Sequence, residues 1–529
     1  MLRKFLPVLL CNIAPGALLA QQVELRSSDE FISVEGEIIG FNGVMLSVET
    51  SVGQVSVPAS EVICYGEGCL TAIANPDFGL TEAAFDGVEP GGDAEQREAL
   101  TDDFVISFES PRLNAIYRTI TSAFAVTGPS SSRVQLGPTG QITLQNEAGN
   151  ETATVALGGT GDPSDLQIST VSLRGTAEVA YPGPMDWVTG TQLTRQLVGL
   201  DAFAVIAASN VGIDSISVDQ LADIYAGDLT NWSQLGGADL NILPLQLPAN
   251  SPLRNEIVEL IMEPRGKSIA SDVLTMADEA GLALSVNQFP GSVSVISVDR
   301  AADNNTLSVS GSCAFGVAPT PFNIVSGDYP LIRPAMVTYD RAPNTSLLTA
   351  LFDSAATDTT QDLLAREDLS KHGGIMQDSG IKNTRLNLLL SGTFDSIERP
   401  VAAEMFQVLF EADRLSPTMS GGAASAAEGA WNRAMMHDLT DMMRDPEFAG
   451  REVIFAGFGD STNGSQDAID ASARAAADML AAFRQFATGV INSSDLTLTS
   501  FGFGNVSPAT CYEGQVPGQA KTRVEVWVR

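Results

Sequence analysis

The run Gly199-Leu200-Asp201-Ala202-Phe203-Ala204-Val205-Ile206-Ala207-Ala208-Ser209-Asn210 is followed, after a short gap, by Ile216-Ser217-Val218-Asp219-Gln220-Leu221-Ala222-Asp223-Ile224-Tyr225-Ala226-Gly227-Asp228-Leu229-Thr230-Asn231-Trp232-Ser233-Gln234-Leu235-Gly236-Gly237. The first run is apolar in its centre and polar at its ends, the pattern of a strand buried on both faces. In the second, Ser217 is a good N-cap, Gly227 a good stop, and Val218, Leu221 and Ile224 share one face of the helix between them. Upstream, Phe104–Phe108 reads as a short strand, and Arg112–Phe124 carries Leu113, Ile116, Tyr117, Ile120 and Phe124 at helical spacing. Strand-loop-helix units of this kind continue to about residue 370, which predicts an α/β architecture.

The segment 199–237 resembles the periplasmic phosphate-binding proteins of ABC uptake systems, in which a strand, a short helix and a G-x-x-T-N-W…G-G turn follow one another; here the turn is Gly227 to Gly237. Ser164-Asp165-Leu166-Gln167-Ile168-Ser169 stands where that family writes A-D-I-G-x-S, and Ser326-Gly327-Asp328-Tyr329-Pro330-Leu331 resembles its Y-P-L segment. The resemblance covers residues 101–372 and implies a two-lobed α/β periplasmic-binding-protein fold. It also implies an oxyanion such as phosphate, held between the lobes by helix N-termini and hydroxyls, and an ABC permease as partner. Carried over residue by residue, the first anion loop offers Ser107 and Ser110, with the acidic Glu109 between them. The place of the family's Ser-Gly-Thr reads Leu247-Pro248-Ala249-Asn250-Ser251-Pro252-Leu253, which leaves Asn250 and Ser251 as donors. Arg174 and Arg254 are candidates for the family's arginine by position alone. The competing reading makes these serines and asparagines ordinary caps and turns.

Towards the C-terminus, Glu404–Leu415 reads as a helix, Pro417–Gly429 as a glycine-, alanine- and serine-rich loop, and Trp431–Met443 as a helix. Arg451–Gly457 then reads as a strand, Ala468–Phe486 as a helix, and Leu496–Phe501 and Val524–Val528 as strands. The fragments Val453-Ile454-Phe455-Ala456-Gly457-Phe458-Gly459-Asp460-Ser461-Thr462-Asn463-Gly464, Arg474-Ala475, Gly502-Phe503-Gly504 with Pro508, and Lys521-Thr522-Arg523-Val524-Glu525 follow in order. Together they resemble the OmpA-like peptidoglycan-binding domain, over residues 402–529. That resemblance implies a C-terminal α/β OmpA-like domain that holds the diaminopimelate of the stem peptide, with Asp460 against its amine and Arg474 against its carboxylate. A plain surface salt bridge between the two is the alternative. Departures are Asp467 for the family's asparagine, Asp470-Ala471 for its Leu-Ser, and Lys521 for its terminal asparagine.

The N-terminus has Arg3 and Lys4, an apolar stretch from Phe5 to Leu19 and small Ala20, which is the pattern of a signal peptide over residues 1–20. Cys11 follows Leu10, a poor context for lipid attachment. Residues 21–74 alternate around turns at Asn42-Gly43 and Val52-Gly53 and predict a small N-terminal β domain. Cys64 and Cys69 flank Tyr65-Gly66-Glu67-Gly68, a loop short and flexible enough for a disulfide staple; a metal site is the rival reading, and no nearby histidine supports it. Residues 75–100, acidic and rich in glycine and proline, read as a linker, and 373–401 as a connector.

The charge of −35, from 64 acidic and 29 basic residues, sets nucleic acid aside as a partner. Two histidines, His372 and His437, and no nucleophile motif leave little from which to build a zinc enzyme or a Ser-His-Asp hydrolase, so no enzyme and no cofactor are expected. The chain thus reads as a multidomain, exported, periplasmic binding protein tied to the cell wall or outer membrane. The alternative is an envelope adaptor whose middle domain has lost anion binding and contacts a protein.

Overall fold

A computed structural model describes residues 23–72, 87–89, 100–170, 195–364, 375–506 and 522–529, with short breaks inside these runs. They fall into two compact units, Met1–Ala99 and Leu100–Arg529. Among the described residues no helix is long and apolar enough to cross a membrane.

The first unit is a six-stranded sheet of β1 (Val23–Ser27), β2 (Ser33–Phe41), β3 (Met45–Thr50), β4 (Gly53–Pro58), β5 (Val62–Tyr65) and β6 (Gly87–Glu89), in the order β4-β3-β2-β1-β5-β6. Strands β2 and β3, and β3 and β4, are antiparallel pairs; Asn42, Gly43 and Val52 of the expected turns lie outside the described residues. Alternation places Val23, Leu25, Ile38, Leu46 and Val48 in one core with Cys64 and Cys69. Those two cysteines form a disulfide, Cα–Cα 5.9 Å. Gly87–Glu89, inside the stretch that reads as a linker, pairs with β5.

The second unit opens with β7 (Leu100–Phe108) and α1 (Pro111–Thr127), then β8 (Ser132–Leu136), β9 (Ile142–Asn146), β10 (Glu151–Leu157) and β11 (Leu166–Thr170). Then come β12 (Arg195–Ala207), β13 (Ser215–Ser217), α2 (Val218–Ala226), β14 (Leu243–Gln246), α3 (Pro252–Ile257), β15 (Leu274–Thr275), α4 (Glu279–Gln288), β16 (Ser292–Ser297) and β17 (Thr306–Ser310). The segment closes with α5 (Pro321–Val325), β18 (Ile332–Tyr339), α6 (Ser346–Asp353) and α7 (Asp358–Leu364). All its strands join one twelve-stranded sheet, whose main path is β15-β14-β16-β12-β18-β11-β7-β10-β9-β8.

The sheet has two halves, and β12 belongs to both. From Arg195 to Ala202 it pairs with β18, with a register shift between Leu197 and Gly199; from Phe203 to Ala207 its partner is β16. One half is built on β7 and its parallel neighbours β10 and β11, with Phe104, Ile106, Ile116, Tyr117 and Phe352 in its core. The other is built on β14, β16 and β17, with α2 closed as the sequence predicts. Ser217 forms a capping box with Gln220, and Gly227 ends the helix at φ 82°.

The C-terminal segment contributes α8 (Glu398–Glu411), β19 (Asp413–Ser420), α9 (Ala426–Met442), β20 (Glu452–Phe458), α10 (Ser465–Phe486), β21 (Thr497–Gly502) and β22 (Arg523–Val528), with sheet order β19-β22-β20-β21. The parallel pair β20–β21 is linked through α10. A Cβ on Gly457 would collide with the Ser472 carbonyl, so glycine here lets β20 and α10 approach. Two expectations need correction. The helix expected to reach Leu415 stops at Glu411, and the loop expected from Pro417 contains the end of β19 before α9 begins at Ala426. Pro417 has no N–H for a ladder, and the pairing of β19 with β22 slips between Leu415 and Thr418, which accommodates it.

One hydrophobic core runs through the second unit. Val205, Leu221 and Val293 of the middle sheet share it with Trp431, Met435 and Leu439 of α9 and with Phe455 and Phe483 beyond it.

Candidate functional site

Ser107 is buried near the end of β7, opposite Gln167 of β11. Ser110 lies outside the described residues, as do Arg174 and Asp460. Asn250 is exposed in the loop after β14, and Ser251 precedes the six-residue α3 without a side-chain cap bond. The sheet order puts β11, β18, β12 and β16 between Ser107 and the Asn250–Ser251 loop, so the two candidate clamps stand on different halves. Arg254 donates from Nε to Gln246 Oε1 at 2.8 Å, an internal contact that holds it against β14.

The T-N-W turn does structural work. Asn231 Oδ1 accepts from the Ser233 amide and hydroxyl at 2.9 and 2.7 Å, and Trp232 is fully buried with its Nε1 donating to the Gly291 carbonyl at 2.8 Å. A Cβ on Gly237 would run into the Val211 carbonyl, so the second glycine of the pair is required by close approach. The motif therefore marks how this half packs.

On the C-terminal segment Arg474 is exposed on α10. Asp467, at the start of that helix, accepts from the Ser461 hydroxyl and from Asn463 Nδ2. Those bonds, with a smaller contribution from the Arg474 charge, hold its carboxyl below the usual range. Nearby, Ser465 Oγ lies 3.0 Å from both Asp395 Oδ2 and Glu398 Oε1, so the start of α10 is an acidic, hydroxyl-rich surface.

Two buried polar clusters, neither anticipated from the sequence, join the middle and C-terminal segments. In the first, Arg433 of α9 grips Asp353 of α6 bidentately, Nη2–Oδ2 2.6 Å and Nε–Oδ1 3.1 Å. Gln196 of β12 donates to the same carboxylate at 2.8 Å and accepts from the Tyr339 hydroxyl. His437 Nε2 lies 3.7 Å from Asp353 Oδ2, and its ring meets the edge of Phe486 at 4.7 Å. Burial pushes the Asp353 carboxyl up, but Arg433 and then His437 more than offset this, and it stays far below the usual range. A small open pocket sits here, lined by Gln196, Phe352, Asp353, Arg433 and His437 among others.

In the second cluster Glu525, fully buried on β22, meets Arg385 Nη1 at 2.8 Å, Arg523 Nε at 3.0 Å and Arg414 Nε at 3.5 Å. Arg414 also holds Asp328 bidentately at 2.5 and 3.2 Å. The guanidiniums lie over aromatic rings, Arg523 over Phe458 at 4.6 Å and Arg385 over Trp527 at 5.3 Å. Burial drives the Glu525 carboxyl up, and the three arginines pull it well below its ordinary value. A signal for these clusters existed in the chain, arginines inside otherwise apolar segments, but apart from Arg523, two residues from Glu525, the partners lie 80 to 157 residues apart. Among the described residues no three metal-ligating side chains gather.

Comparison with known proteins places the middle of the chain. Residues 142–365 match the model of the PBP superfamily domain, so a PBP-like domain lies there. The phosphate-binding protein PstS of Bacillus subtilis is 24% identical over 139 residues, covering 26% of this chain and 44% of that protein, so the chain spans less than half the length of this curated relative. The crystal structure of PstS from Borrelia burgdorferi is 17% identical, covering 51% of this chain and 98% of that one, with a TM-score of 0.38. An ABC-type phosphate transport receptor from Vibrio cholerae is 17% identical, covering 51% and 99%, with a TM-score of 0.37. These relatives are named as phosphate binders or receptors.

Proposed function

We propose that this chain is an exported periplasmic binding protein whose middle domain takes phosphate or a similar oxyanion between its two halves and whose C-terminal domain holds peptidoglycan. The observation that carries the first part is the PBP-like domain over residues 142–365 together with two half-sheets joined through β12. The seam between such halves is where backbone amides and hydroxyls converge on a ligand. Ser107 and Ser110 would serve from one half, and Asn250 and Ser251 from the other. An ABC permease is the partner that this reading implies, as it is for a phosphate transport receptor. The second part rests on the OmpA-like motif order and on the four-stranded sheet with α10 beside it. Asp460 would take the diaminopimelate amine and Arg474 its carboxylate, which places the protein at the wall or outer membrane. The test of the anion site is calorimetric titration of the full mature chain with phosphate, sulfate and arsenate. Saturable heats with a Kd of ~1 µM or tighter, weakened in Ser107→Ala, support it; flat titrations across the panel favour an adaptor that contacts a protein.

A further inference from the structure

We propose that the β19–α9 layer is a brace across both halves of the middle sheet. It fixes their angle and couples any opening about β12 to the C-terminal sheet. Four observations converge. Helix α9 lies directly on β12, the strand shared by the halves. Its Arg433 is tied to Asp353 at the end of α6, in the half that contains Phe104 and Phe352, and Gln196 at the start of β12 shares that carboxylate. Its Trp431, Met435 and Leu439 are buried in the core that holds Val205, Leu221 and Val293 of the other half. On the adjoining strand, Arg414 is bonded to Asp328, which precedes β18.

The layer thus has an ionic grip on one half and an apolar grip on the other. Rotating the halves about β12 strains one or the other: it pulls Arg433 from a carboxylate largely withdrawn from water, or opens a close-packed core. Here the hinge strand is covered, so the conformation of the middle domain and the state of the C-terminal sheet are linked whether or not an anion is bound.

Hydrogen exchange on the full chain tests this, with Arg433→Gln compared with wild type and with Arg444→Gln, a change in an exposed pair that follows the same helix. The brace predicts roughly tenfold or faster exchange in Arg433→Gln at β12 and β16 as well as in α6 and α9, and no change in Arg444→Gln. Acceleration confined to α6 and α9 overturns it. Thermal unfolding of the wild type followed by exchange-resolved peptides decides the matter even if the variant fails to fold. Peptides from 100–364 and from 398–529 melting together support the brace, and two separate transitions overturn it.

Discussion

Replacing Glu525 by glutamine removes one charge and keeps the shape. Glu525 has no exposure and faces three guanidiniums between 2.8 and 3.5 Å, one of which, Arg414, also holds Asp328. Removing one partner of a buried ion pair typically costs about 3–5 kcal/mol, because the charges left behind stay out of water. The unit from Leu100 to Arg529 has 430 residues. At roughly 2.1 cal/mol/K per residue its unfolding entropy is about 0.9 kcal/mol/K, so Glu525→Gln should lower its Tm by about 3–6 °C. The pH dependence gives a second signature. The folded carboxyl is depressed below its ordinary value of 4.5. Its contribution is therefore fully present above that pH and fades as pH falls through the lower, folded value. The Tm gap between variant and wild type should be constant from pH 8 to about 5 and shrink only under stronger acid. Differential scanning calorimetry across that range measures both. Glu452→Gln, at a half-buried pair with Arg529, is the milder comparison and should shift stability by no more than about 1 kcal/mol. A Glu525→Gln protein as stable as wild type at pH 7 would mean that the three arginines do not depend on this carboxylate.

Other outcomes follow from the same structure. Mass mapping of exported protein under non-reducing conditions should find Cys64 joined to Cys69, and replacing both by serine should destabilise the N-terminal unit by about 2 kcal/mol, read by denaturant melts. Gly237→Ala should cost about 1–3 kcal/mol through the clash with the Val211 carbonyl, whereas Gly236→Ala, where a Cβ meets nothing within 4 Å, is strained only by its positive φ. Asp460→Ala and Arg474→Ala should each release the chain from purified sacculi with a loss of ~30-fold or more in affinity, while circular dichroism stays native; equal sedimentation with and without the substitutions removes the assignment.

The local signals were legible in the chain. Ser217 and Gly227 bracket α2, the alternating segments on either side of Asn42-Gly43 pair as β2 and β3, and the apolar run from Gly199 to Ala207 lies in β12, which begins at Arg195 and ends before Ala208. What stayed hidden depends on distant partners. Strand β19 carries Asp413, Arg414, Ser416, Pro417 and Thr418 and reads as a helix end followed by a loop, yet it is buried from Arg414 to Met419. Arg414 reaches Asp328, Ser416 Oγ accepts from the Ile375 amide at 2.8 Å, and Thr418 accepts from Arg414 at 2.9 Å. Composition cannot mark a polar strand as internal when its satisfaction comes from residues 41 to 86 positions away. Arg385, in what reads as a connector, is a buried partner of Glu525 for the same reason. Of the candidate anion site, Ser107 and Ser251 were placed at the ends of β7 and at the start of α3, but periodicity says nothing of which half each would occupy.

Retention of radiolabelled phosphate on sacculi carrying the bound mature protein reads wall attachment and anion binding in one pellet. Protein should be found in the pellet with saturable label approaching one phosphate per chain at ~10 µM or below, and both should be lost together when Asp460→Ala leaves the protein in the supernatant. Protein that sediments without retaining label contradicts the binding function, and protein that stays in the supernatant contradicts the wall attachment.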